Sequence, residues 1–168
     1  MNDSLAKQFL ELSAGRLELL SSRIDDCLGR LTHDQLWWRS ADAQNSVANL
    51  VLHLCGNVRQ GTAALENHPD NRDRDREFEA RSGGTPDELR QLLKTTTTAA
   101  VVAYRNLPPA RLAEAIRIQG NERQIMQTVY MTVAHFAEHT GQVIYATKLM
   151  TGHDLGYFAH LSKPKAKV

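Results

Sequence analysis

The chain has 168 residues, 42% of them hydrophobic and 23% charged, with a formal net charge of +1. That composition is ordinary for a soluble domain with a sizeable core, and it excludes a strong field for gathering nucleic acid or an anionic membrane. The opening residues lack the basic and apolar regions of a signal peptide, no apolar run is long enough to span a membrane, and Cys27 and Cys55 form no CxxC pair, so a cytoplasmic protein is expected.

From about residue 4 to 30, Leu5, Phe9, Leu10, Leu17, Leu20, Ile24, Cys27, Leu28 and Leu31 fall at mostly three- and four-residue spacings, which predicts a first amphipathic helix. Thr32 and Gln35 read as a capping box opening a short helical turn. Asn45 or Ser46 caps a second long helix, in which Leu50, Val51, Leu54, Val58 and Leu65 keep the helical period. The stretch HPDNRDRDREFEARSGG, 68–84, carries no apolar stripe and reads as a long connection. Its alternating charges suit a solvated loop laced with weak ion pairs. Thr85 as N-cap, Pro86 at the first position and Glu88 three residues after the cap announce a third helix, running to about Asn106. Thr95 to Thr98 lower its intrinsic propensity, so packing must hold it. The piece AEAIRI is either irregular or briefly extended; the fourth helix follows from about Gln124 to Met150, with Gly152 as its stop.

Four long helices without a convincing strand predict an all-α fold, a four-helix bundle. About seventeen residues between the second and third helices permit a crossover along the bundle, which favours up-down-down-up over simple up-and-down. On this reading residues 1–152 form the bundle and 153–168 a mobile, basic C-terminal tail.

The histidines carry the chemical signal. His135 and His139 lie four residues apart, so one helical face presents both imidazoles about 6 Å apart along the axis, within reach of one ion. His53 flanks the apolar stripe of the second helix, where a bare imidazole would lack polar partners. One histidine from one helix and a spaced pair from another is how metal sites are assembled in bundle cores. Three histidines would leave an open fourth position, as catalysis requires. The bland alternative is three hydrogen-bonded histidines. Cys55 points about 200° away from His53 and reads as a small buried hydrophobe; His33, His68, His153 and His160 read as surface residues. HFAEH also fits the H-x-x-E-H protease pattern, but the 29 residues after His139 contain Asp154 as their sole acid, so that assignment fails for want of a further ligand. Glu138 reads as a solvent-facing helix glutamate rather than a general base, and no catalytic residue is assigned. Trp37 and Trp38 plug a bundle end or line a cleft.

NSVANLVLHLCGN, NRDRDREFE and VAHFAEHTGQVIYATKLM together resemble the DinB-like superfamily of metalloenzymes, closest to a branch of uncharacterised bacterial proteins. The resemblance covers residues 4 to 152. It implies that His53, His135 and His139 bind a divalent metal ion, zinc or nickel foremost, with water or a thiolate completing the site. It also implies the crossover topology, a homodimer, and a small-molecule substrate, with thiol S-transfer using a low-molecular-weight thiol, or hydrolysis, as the reaction. The charged loop would then wall the pocket, with an arginine presented to an anionic group. The competing reading is a non-catalytic, metal-stabilised binding or regulatory bundle. No nucleic-acid or membrane partner is expected.

Overall fold

Residues 3–161 are described in the computed structural model. In chain order the helices are α1 (Asp3–Leu28), α2 (His33–Trp37), α3 (Val47–Leu65), α4 (Arg74–Glu79), α5 (Pro86–Asn106) and α6 (Ile125–Thr151). A two-stranded hairpin, β1 (Ala115–Ile118) and β2 (Asn121–Gln124), precedes α6. Helix starts follow the capping chemistry in the sequence. Thr32, Ser46 and Thr85 each accept a backbone N–H three residues on, and Gln35, Asn49 and Glu88 reach back to the cap. Gly152 ends α6 at φ 70°, donating to the Lys148 carbonyl at 2.9 Å.

The four long helices form the bundle. α1 packs on α5 and α6, and α3 packs on the same two, so α1 and α3 occupy one diagonal. Arg105 reaches Glu11 and Glu18 while Arg90 reaches Asp25, which makes α5 antiparallel to α1. Thr132 meets Tyr104 and Thr147 meets Cys27, so α6 runs with α1. His53 faces His135 while Gly61 lies against Thr132, so α3 opposes α6. The order is therefore up-down-down-up, and residues 66–85 return along the length of the bundle as expected. Leu17, Ile24, Leu54, Leu93, Tyr104 and Phe136 are fully buried along its axis, each burial stabilising by roughly 1.5–3 kcal/mol. Thr97 and Thr140 in this core satisfy their hydroxyls on carbonyls one turn back, at 2.8 and 2.7 Å.

One connection differs from the sequence reading and another settles an alternative that it left open. The 68–84 segment contains α4, one and a half turns capped by the Asp73 carboxylate. AEAIRI becomes β1, because Gln119 and Gly120 adopt φ 51° and 77° in a two-residue turn that closes a hairpin. After Gly152 the chain folds back: Leu155 is buried, and the Tyr157 hydroxyl donates to Asp26 at 2.9 Å. Residues 162–168, the end of the expected tail, lie outside the described residues. Among the described residues no helix is long and apolar enough to cross a membrane.

Candidate metal centre

α3 and α6 bring the three histidines named from sequence into one cluster, with one ring nitrogen from each within 4.8 Å of the others. His53 Nε2 and His135 Nε2 are 2.9 Å apart. Three imidazoles at about 2.0–2.1 Å from a tetrahedral ion stand roughly 3.4 Å from one another, so a small relaxation accommodates one. His53 is buried and the other two are half-buried.

The Nδ1 atoms decide which nitrogen faces inward. His53 Nδ1 lies 3.1 Å from Glu77 Oε2, and His139 Nδ1 lies 2.6 Å from Gln142 Oε1. Gln142 Oε1 accepts, so His139 Nδ1 carries the proton and its Nε2 lone pair points into the cluster. His53 Nδ1 stands between an acceptor, Glu77, and a donor, Arg72 Nη2 at 3.0 Å, and the same tautomer follows where it bonds to Glu77. Desolvation pushes the His53 pKa down to about 4, against the opposing pull of Glu77. Burial, and then the neighbouring His139, lower that of His135. Both rings are therefore neutral at pH 7, the form that binds a metal. Donor type, spacing, tautomer and protonation all fit a divalent ion.

Behind His53 stands a buried ion pair that the sequence reading placed in solvent. Arg72 Nε and Nη2 donate to the two oxygens of Glu77 at 2.9 and 2.8 Å, and these side chains are 5% and 10% exposed. Arg72 Nη1 donates to Gln60 at 3.0 Å, and Gln60 donates to Asp70 at 2.6 Å. Gln119 at the hairpin tip joins the same Gln60 oxygen at 3.2 Å. Asn49 anchors the far end of α4, donating to the carbonyls of Glu77 and Ala80 at 2.9 and 3.0 Å. Gly56 leaves the room: a Cβ there would overlap the Glu77 carboxylate. The loop packs behind His53 and lines none of the cleft beside His135, and its buried arginine is held by Glu77 rather than presented to a ligand.

Other assignments hold in part. Cys55 is buried with its thiol pushed up to about 12 by desolvation, an inert core residue. Glu138 is 75% exposed on its side chain. His33, His68, His153 and His160 are on the surface. Trp37 is half-buried and donates to the Gly83 carbonyl at 2.8 Å, whereas Trp38 is exposed. The missed residues had a signal. Asn49, His53, Gly56 and Gln60 recur at intervals of four, three and four, a polar stripe along an otherwise apolar helix.

A bundle of this topology with a histidine cluster between its second and fourth long helices has the fold of DinB-like proteins. A DinB-like protein from Bacillus subtilis superposes with a TM-score of 0.66, covering 85% of this chain and 94% of its own at 16% identity. A second, from Bacillus cereus, gives 0.63 over 79% and 86% at 12% identity. The sequence itself matches the family described as "Protein of unknown function (DUF1572)" over residues 4–167, and the chain belongs to that family. No curated protein matches it significantly.

Proposed function

We propose that this protein is a divalent-metal-dependent enzyme acting on small molecules, by group transfer to or from a thiol or by hydrolysis. The observation that carries the reading is the set of three imidazoles with ring nitrogens within 4.8 Å, with His53 Nδ1 beside Glu77 and His139 Nδ1 beside Gln142 on the side away from the cluster. His53, His135 and His139 would hold the ion; imidazole ligands suit zinc and nickel, and copper and iron as well. A bound divalent ion supplies Lewis acidity, lowering the pKa of a thiol or water at its open position. Glu77 keeps the His53 ring oriented, and Gln142 does the same for His139. The His135 side chain is 31% exposed and borders a cleft of about 180 Å³, which favours an approachable ion over a purely structural one. Leu5, Leu12 and Leu19, seven residues apart and exposed along α1, suit self-association as a homodimer.

Elemental analysis of untagged protein beside a His139→Ala variant tests the reading. Near-stoichiometric metal in the wild type and its loss in the variant are expected. Metal-free protein in both cases, after incubation with zinc and with nickel, overturns it.

A further inference from the structure

The cleft beside His135 has a chemical character of its own. Asn57 and Gln60 from α3, Met131 and His135 from α6, and Gln119 and Arg123 from the hairpin form its main walls. Strand alternation places Arg123 on the inner side. It pairs across the sheet with the buried Ile116, whereas Arg117 and Glu122 pair on the exposed outer side. Arg123 Nη1 lies 3.9 Å from Met131 Sδ, a weak acceptor, and among the described residues no carboxylate lines the cleft. Arg72, Arg90 and Arg105, by contrast, all grip carboxylates. A half-buried guanidinium facing neutral carboxamides and a thioether is a recognition element without its anion. Met131 sits one turn from His135 on α6, so the guanidinium and the histidine cluster are separated by about 6 Å along the helix. Asn57, one turn beyond His53, adds a carboxamide to the same wall.

We propose that this cleft is the substrate pocket and that it takes a small carboxylate. The Arg123 fork receives the carboxylate group, and a thiol or hydroxyl at the ligand's other end reaches the ion held by His53, His135 and His139. A single guanidinium among neutral groups balances one negative charge, which favours a carboxylate over a phosphate dianion. A volume of about 180 Å³ is well below that of a drug-sized pocket and limits the ligand to a short chain. The proposal rests on the metal reading above and adds the substrate class to it.

Untagged, full-length protein is loaded with cobalt(II), whose thiolate charge-transfer band reports ligation at the ion. It is then titrated with 4-mercaptobutyrate and with the neutral 4-mercaptobutanamide. The wild type is expected to prefer the carboxylate about tenfold, the size of one charge-assisted pair. Arg123→Gln is expected to abolish that preference at unchanged cobalt content, and Arg117→Gln to keep it. Arg123→Lys, retaining charge without the fork, is expected to keep part of it and guards against a misfolded glutamine variant. Equal affinities in the wild type, or a preference that survives in Arg123→Gln, overturn the proposal while leaving the metal site standing. Failure to bind cobalt at all overturns both.

Discussion

Two clefts on opposite faces of the bundle differ in size and in chemistry, and the roomier one is not the one beside the histidines. A cleft of about 690 Å³ runs between α1 and α5, lined by Glu18, Asp25, Arg90 and Arg105. The cleft at the α3–α6 face is about a quarter of that volume, at 180 Å³. In the large cleft the charges are already matched: Arg105 holds Glu11 and Glu18, and Arg90 holds Asp25 and Asp87. Those arginine side chains are 39–40% exposed, against 5% for Arg72 beside the histidines. The α1–α5 face therefore carries solvent-screened ion pairs, each able to part at little cost. The α3–α6 face combines a desolvated ion pair, neutral imidazoles with inward lone pairs, and an unmatched guanidinium. Unmet bonding capacity, rather than volume, marks the site.

Substitutions should separate the two faces sharply. Glu77→Ala leaves Arg72 buried without its carboxylate and frees the His53 ring. We expect a loss of about 3–5 kcal/mol in denaturant unfolding, accompanied by weaker metal binding. A smaller effect is expected from pH in the metal-free protein. The folded pKa of His53, about 4, lies below its ordinary value of 6.5, so the unfolded chain binds the proton first. Its contribution to stability is complete above about pH 6.5 and is lost as pH falls towards 4, which thermal melts across that window would read. Bound metal should steepen this profile, because the ion competes with protons for the same nitrogens and its stabilisation fades as pH falls. Arg105→Ala, on the solvent-screened face, should change the melting temperature least, and added salt should erase the difference. A large, salt-insensitive effect there would dissolve the contrast between the faces.

Most of the bundle was legible because its determinants are local. The capping boxes at Thr32 and Thr85, the stop at Gly152 and the apolar stripes of α1 and α3 act within a turn or two of chain. The three histidines were legible for the same reason, helped by the family resemblance. The buttress behind them was not. Arg72 and Glu77 sit in a segment whose alternating charges are those of any solvated loop. What buries them is a groove in another helix, opened by the missing side chain of Gly56 and framed by Asn49 and Gln60. The first strand stood only as an alternative and its partner went unread, because each strand has four residues and the turn of Gln119 and Gly120 is outside the commonest pairings. Arg123 gained its meaning only with the register that set it opposite Ile116.

The route of the chain between α3 and α5 has an evolutionary consequence. In an up-and-down bundle a tight turn would join those helices, and nothing would cross the outer surface of α3. Because α5 starts at the opposite end, a strap about twenty residues long must travel back over the helix that carries His53. The strap is a compulsory by-product of the topology, and it supplies the ion pair of Arg72 and Glu77 that meets the outer nitrogen of His53. Descendants of such a fold can vary its length and charges while the four helices stay as they are. The chemistry at the histidines can thus diverge through a segment that bears none of the ligands.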